Sequence, residues 1–290
     1  MEPMSSAFIP KNPIITAYPK IPEAFSEAEI IASYLKEKGF DPPHGSLYDE
    51  ELRKNVRGGK YDLLIVLGGD GSMLRAGHLC APSHVPILGI NLGRVGFLMQ
   101  VDRADWIPYL EKLLNGEAWI ENRMMLQAGH LRAGEALGSW QALNDVVVAR
   151  GAALRPVHLT ASVDGRQLTS YVADGLIAAT PTGSTAYALA AGGPILPPEL
   201  RNILLVPIAP HLSVDRGVVL AEGSSVSIHV RSENTVLSVD GQPPVVLMEE
   251  DRVEVRAAEI TAQFVRFGDP GYFYRNLTAH MNENSIGLPR

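Results

Sequence analysis

An α/β domain followed by a mainly β domain is the fold class that this 290-residue sequence predicts, and three observations predict it. Up to about residue 118, short apolar runs alternate with longer amphipathic stretches, the pattern of a parallel sheet with helical crossovers. After Trp119, strands recur at short spacing between turn signals, as in a β-sandwich. Near the end, Gly271 to Asn284 returns to helix-compatible sequence, with Phe273, Leu277 and Met281 on one face at i, i+4 and i+8. The expected division is a Rossmann-like α/β domain over 1–118, a β-sandwich over 119–267, and a carboxy-terminal segment over 268–290 that returns to the first domain.

Taken in order, Pro13 to Ala17 (PIITA) reads as the first strand. A helix follows, its start marked by Ser26 with Glu29 three residues on, a capping box, and its stop by Gly39. Tyr61 to Leu67 (YDLLIVL) is a continuous apolar run, as expected of a strand buried on both faces, and Val85 to Asn91 reads as another. Asp105 to Leu114 reads as a helix with Gly116 just past it. In the β half, Asp164-Gly165 and Asp240-Gly241 suit tight hairpins, while Ser225 to Val230 and Arg252 to Val255 alternate as half-buried strands do. Thr182 to Ala191 is the helical candidate there.

Lys+Arg 25 against Asp+Glu 32 gives a net charge of −7, which argues against a nucleic-acid coat or a membrane-surface protein, since both need a basic stripe. At 46% hydrophobic and 20% charged, the chain has apolar material for a core in each domain. The single Cys80 excludes an intrachain disulfide and fits a reducing compartment. We read neither a signal peptide nor a membrane anchor at the amino terminus, and expect a cytoplasmic protein with no nucleic-acid or membrane partner.

The sharpest local signal is Leu67-Gly68-Gly69-Asp70-Gly71-Ser72, a glycine turn between a buried strand and a helix-compatible stretch. Gly68, Gly69, Gly71 and Ser72 suit a phosphate cradle, because glycines let backbone N–H groups approach an anion and a helix N-terminus adds positive potential. Asp70 would repel that anion. It suits a cation, a ribose hydroxyl or the proton of that hydroxyl, and the bland alternative is a turn that uses Asp-Gly for its dihedrals. A second signal is Thr180-Pro181-Thr182-Gly183-Ser184-Thr185-Ala186-Tyr187, small hydroxyl residues opening a helix after an apolar strand, a bed for a polar ligand. A third is Asn144-Asp145 before the strand Val146 to Ala149: a carboxylate can accept from two ribose hydroxyls and an amide can read a base edge, though Asn-Asp before a strand is by itself usually just a turn. No metal-ligand pattern, Walker A sequence or nucleophile elbow is present.

Together LGGDGSMLRA, NDVVV, DGLIAATPTGSTAYALAAGGPI, PIAPH and SVDGQ, in this order, resemble the NAD kinase family of bacteria. Gly-Gly-Asp-Gly also occurs in phosphofructokinases and lipid kinases, so Thr-Gly-Ser-Thr-Ala-Tyr is the discriminating part. The resemblance implies a two-domain enzyme that moves a phosphoryl group from ATP, or in some members polyphosphate, to the 2'-hydroxyl of the adenosine ribose of NAD. It implies Mg²⁺ brought by the donor rather than held by protein ligands, and a homodimer or homotetramer. By position Asp70 matches the family's general base, with Gly71, Arg75 and Phe97 near the ligand. Asn144 and Asp145 match the adenine- and ribose-holding pair, and Arg155, Asp174, Thr185, Ala186, Tyr187, Ala190, Ala209 and Gln242 match further NAD contacts. Asp145 stands where most members have Glu, one methylene shorter. Val172 stands where some relatives have Arg, and Gly217 follows Arg216 where Pro is common.

Overall fold

The computed structural model describes residues 8–93, 96–211, 214–274 and 277. They form two units: the described residues up to Asn122 together with those from Ala262, and Arg123–Thr261. In the first unit, strand β1 (Pro13–Ala17) is buried at every position and helix α1 (Pro22–Glu37) follows. The helix starts ahead of the expected Ser26 cap. Pro22 at its first turn brings a pre-set φ and lacks the N–H that a cap would satisfy, and Ser26 instead lies inside, its hydroxyl donating to the Glu23 carbonyl. Gly39, at φ +92°, ends it as read.

Strand β2 (His44–Ser46) and helix α2 (Glu50–Arg57) come next, too short for the apolar pattern to announce. Then come β3 (Leu63–Gly68), α3 (Asp70–Cys80), β4 (Ile87–Asn91), β5 (Val101–Asp102) and α4 (Trp106–Leu114). The strands pair in parallel in the order β2–β1–β3–β4–β5, so their carboxyl ends share one edge. Ile31 and Leu35 of α1 with Leu110 and Leu113 of α4 pack on Ile65, Leu67 and Ile90, while Met73 of α3 lies against Gly89 on the other face. With both faces covered, β3 and β4 are buried throughout, which is why they read as unbroken apolar runs.

Strand β6 (Ala118–Arg132) leads the chain from the first unit into the second. There follow β7 (Glu135–Ala142), β8 (Asp145–Arg150), β9 (Val157–Val163), β10 (Arg166–Ala173), β11 (Gly175–Ala179), the short helix α5 (Tyr187–Ala190), β12 (Ile203–Ile208) and β13 (Val218–Leu220). The last strands are β14 (Val226–Val230), β15 (Thr235–Val239), β16 (Val245–Leu247) and β17 (Arg252–Phe267). Within the second unit the antiparallel ladders run β10–β9–β14–β17 and β13–β12–β11–β8–β15–β16. Leu159, Ile228 and Val253 of one meet Val148, Leu176 and Leu205 of the other in one core, the packing of a sandwich. Ala188 and Leu196 cover the outer face of the six-stranded sheet at Ile177 and Val206.

Three further expectations are adjusted. The strand read at Arg252–Val255 continues to Phe267, its burial alternating at first and then continuous over Phe264–Phe267, where Phe264 pairs in parallel with Ile87 of the first unit's sheet. The helix read over Thr182–Ala191 is a 3₁₀ turn, Gly183–Thr185, and then α5, separated at Ala186 (φ −101°, ψ −124°). Of the helix read over Gly271–Asn284, Tyr272–Tyr274 are helical, Tyr272 and Phe273 are buried, and the residues beyond Tyr274 other than Leu277 lie outside the described ones. No helix among the described residues is long and apolar enough to cross a membrane.

A buried cluster closes the second unit. The Asp251 carboxylate accepts from Arg132 (2.8 and 2.9 Å), from the Met248 amide (2.8 Å), and lies 2.7 Å from His130 Nε2. These bonds, Arg132 foremost, hold its carboxyl well below the usual carboxylate range. A depressed folded-state pKa adds stability that is present above the unfolded value of about 3.9 and lost as pH falls below it. Asp251→Asn is therefore expected to lower stability in urea by about 1.5–3 kcal/mol at pH 7. The gap from wild type should narrow below about pH 4.

Candidate functional site

Strand β3 is apolar to its end, and the chain turns through Gly69, whose extended backbone (φ −134°, ψ −170°) caps α3 ahead of Asp70. Gly68 is required, because a Cβ there would fall on the Ser72 side chain. The amides of Asp70 and Gly71 head the helix, where no intrahelical carbonyl reaches them, so the turn can meet an anion. The Ser72 amide is already engaged, donating to the Gly69 carbonyl at 2.8 Å. Arg75, one turn on, donates to the Gly71 carbonyl at 2.7 Å and lies over the rings of Tyr18 and Tyr48. All of these stand at the carboxyl edge of the sheet, where open α/β folds take their ligands.

The Asp70 carboxylate is fixed by the segment that follows β4. Oδ2 accepts the Phe97 amide at 2.8 Å and Oδ1 the Leu98 amide at 3.1 Å. A carboxylate offers about four acceptor positions, so about two remain for a hydroxyl proton or a cation. Gly96 lies so close that a Cβ would overlap the carboxylate. Asp70 thus has a structural task, anchoring residues 97–98, and acceptor capacity left over.

In the second unit three loops meet at one end of the six-stranded sheet. Asp145 begins β8, Ala179 opposite it ends β11, and Val239, opposite Val146, ends β15. The Asp240 carboxylate accepts three successive amides, Leu143 (2.7 Å), Asn144 (2.9 Å) and Asp145 (2.8 Å). The Thr180 amide donates to the Asn144 carbonyl at 2.8 Å and its hydroxyl to the Leu143 carbonyl at 2.5 Å. Gly183 rests on Asn144 so tightly that a Cβ would overlap the backbone. Asp145 itself is only 6% exposed, and its carboxyl makes no hydrogen bond to the protein among the described residues. Burial first, and then the charge of Asp240, push that carboxyl up to about 7.

The hydroxyl-rich turn uses its side chains internally. Ser184 donates to the Pro181 carbonyl (2.6 Å) and accepts the Leu196 amide (2.9 Å), Thr185 donates to the Thr182 carbonyl (3.0 Å), and Thr182 accepts from Arg123 (3.1 Å). What the turn presents outward is Tyr187, 46% exposed, with Ala190, while Ala186 is half-buried. Gln242 is exposed beside Asp240. A second group stands at the opposite end of the same sheet. Asp174 pairs with Arg150 at 2.9 Å, Ala209 adopts left-handed backbone (φ +44°) after β12, and Arg155 is exposed in the loop after β8. Between Asp145 and Ala149 the ladder spans four steps, roughly 13 Å at about 3.3 Å per residue.

Sequence reasoning saw Asp240 only as a hairpin residue; an Asp-Gly turn beside a strand that starts with Asn-Asp was the available signal. Gly96→Ala and Gly183→Ala are each expected to lower stability by about 1–3 kcal/mol, since neither neighbour can yield without moving Asp70 or Asn144. Thermal unfolding of the two variants checks this.

Two family models match the chain: the ATP-NAD kinase N-terminal domain over residues 22–118 and the ATP-NAD kinase C-terminal domain over residues 143–267. The NAD kinase of Heliobacterium modesticaldum is 44% identical over 225 residues, 77% of this chain and 79% of its own. Among solved structures, yeast NADH kinase complexed with NADH aligns with a TM-score of 0.82 at 24% identity, covering 100% of this chain and 95% of that one. An NAD kinase from Archaeoglobus fulgidus in complex with ATP aligns with a TM-score of 0.75 at 26% identity, covering 93% and 99%.

Proposed function

The chain belongs to the NAD kinase family, and from that premise we propose that it transfers the γ-phosphoryl group of ATP to the 2'-hydroxyl of the adenosine ribose of NAD. The observation that supports this most is the Asp70 carboxylate, held by two amides beside a helix N-terminus with acceptor positions left for a hydroxyl. Asp70 takes the 2'-hydroxyl proton as the new P–O bond forms and the bond to the β-phosphate oxygen breaks, releasing ADP and NADP. In this reading the Gly68-Gly69-Asp70-Gly71 turn cradles the phosphates with the amides at the head of α3, and Arg75 lies near them. Asn144 reads the adenine edge and Asp145 accepts from the ribose, with Phe97, Thr185, Ala186, Tyr187, Ala190 and Gln242 lining the dinucleotide.

Among the described residues no group of three or more His, Cys, Asp or Glu side chains gathers where a metal ion could sit. Mg²⁺ keeps most of its waters and is carried largely by the substrate phosphates, so the transfer needs no gathered set of protein ligands and Asp70 stays available as the base. Bound to the donor, it would neutralise phosphate charge.

Arg155, Asp174 and Ala209 stand at the far end of the sheet from Asn144 and Asp145, roughly 13 Å away at about 3.3 Å per residue, and are assigned to further parts of the dinucleotide. The expected homodimer or homotetramer is read directly by sedimentation equilibrium. The cytoplasm suits a chain whose one thiol, Cys80, is buried and unpaired.

One assay tests the function: NADP formation from NAD, ATP and Mg²⁺, run beside polyphosphate as donor and beside NADH, diacylglycerol and sugar phosphates as acceptors. Phosphorylation of a lipid or sugar in preference to NAD would replace this reading with that of a kinase sharing only the glycine turn. Binding of NAD without turnover would make the chain a sensor.

A further inference from the structure

Arg266 near the end of β17 and Glu121 in the opening part of β6 form a buried charged pair inside the first unit. Arg266 is 2% exposed. Its Nε donates to Glu121 Oε2 at 2.7 Å and its Nη1 to the Leu98 carbonyl at 2.9 Å. The guanidinium lies over the rings of Phe264 (5.2 Å) and Tyr272 (5.0 Å), and the Tyr272 hydroxyl donates to the same Glu121 oxygen at 3.3 Å.

A buried charged pair is a poor source of stability, because desolvation offsets its attraction and apolar side chains of similar volume hold a core as well. What a guanidinium supplies and a methionine does not is a directed donor, and this one is aimed at Leu98. Leu98 is therefore held at both ends, its N–H by Asp70 and its carbonyl by Arg266. Two residues on, the Gln100 side chain exchanges two hydrogen bonds with the Phe267 backbone, at 2.9 and 3.0 Å. The segment on which the Asp70 carboxylate rests is thus tied to the end of β17 at two points.

We propose that Arg266, oriented by Glu121, is a positioning residue for Asp70: by fixing Leu98 it fixes the amides that aim the carboxylate. This rests on Asp70 being the base proposed above. Arg266 reaches the reaction only through that side chain, so its effect belongs to turnover and disappears when Asp70 can no longer accept a proton.

The test uses the full chain, with kcat, the KM values for NAD and ATP, and thermal unfolding measured for R266M/E121M, R266K and D70N, and for the first two in the D70N background. Removing both charges together avoids leaving one buried alone. The pair variant is expected to lose about 10–100-fold in kcat with KM for NAD within about threefold of wild type, the size that a small misplacement of a reacting group produces. R266K, which keeps the charge but not the fork, should lose less. In the D70N background each replacement should change kcat by less than about twofold, the mark of two residues acting as one unit.

Equal losses in both backgrounds, with D70N itself impaired, would overturn the role of Arg266 and leave that of Asp70 standing. A pair variant that turns over like wild type would do the same. D70N turning over within a few fold of wild type would overturn the role of Asp70, and this proposal with it. Should the pair variant not fold, R266K decides alone: a loss of about threefold or more that vanishes with D70N supports the proposal, and one that persists overturns it.

Discussion

Asp70→Asn is expected to slow NADP formation from NAD and ATP by about 10²–10⁴-fold, the usual contribution of a positioned base. Asn keeps the size of the side chain but cannot take the proton of the 2'-hydroxyl. It also turns one N–H toward the Phe97 or Leu98 amide, donor against donor, where the carboxylate accepts from both. The fall therefore joins lost basicity to a loosened 97–98 segment, and thermal unfolding measured alongside separates the two. KM for NAD should stay within about threefold, because the lost interaction belongs to the transition state. Saturating NAD, ATP and Mg²⁺ make the rates comparable. Turnover within a few fold of wild type would take Asp70 out of the chemistry and leave it an anchor.

The affinity for NAD should rise with pH and level off above about 7. Burial and the neighbouring Asp240 push the Asp145 carboxyl up to about 7, and two ribose hydroxyls donate best to the ionised form. Below that value the carboxyl must lose its proton to bind, so Kd should grow about tenfold per pH unit, to about 100-fold at pH 5. Asp145→Asn should flatten the profile, and calorimetry in buffers of different ionisation enthalpy should register proton release near pH 7. A wild-type profile flat from pH 5 to 8 would end the assignment of Asp145 to the ribose. Stability runs the other way. Between about pH 4 and 7 the folded chain holds a proton that the unfolded chain has released, so stability falls as pH rises through that window. NAD is expected to relieve that cost by bringing ribose hydroxyls as donors to the carboxylate, so the stability gained on adding NAD should grow as pH rises through the same window.

The parts that were legible in the sequence are those written within a few residues. The unbroken apolar run of β3, the glycines after it and Asp70 at the head of α3 are contiguous, and each follows from backbone sterics or two-sided burial. What holds Asp70 was not legible. Its partners Phe97 and Leu98 follow the next strand, and Arg266 comes from the far end of the chain, so no spacing rule connects them. Local signals also competed. Ser26 and Glu29 form a sound capping box, yet Pro22 opens the helix first. The hydroxyls from Thr180 to Thr185 suggest a bed for a polar ligand; what their sequence does not announce is that strands ending together leave backbone groups, and that these hydroxyls satisfy them.

The first unit is encoded in two stretches of sequence, with the whole of Arg123–Thr261 between them. During synthesis at about 5–20 residues per second, strands β1 to β5 wait about 10–30 s before Phe264 can pair with β4 and Arg266 can reach Leu98. In that interval Ile87 lacks its partner on β17, and Leu98, on which the Asp70 carboxylate rests, lacks the Arg266 hydrogen bond. A chain released before that point would keep the glycine turn and Asp70 but lack the strand whose end holds Leu98. Synthesis of β17 is in this sense the step that completes the surroundings of Asp70.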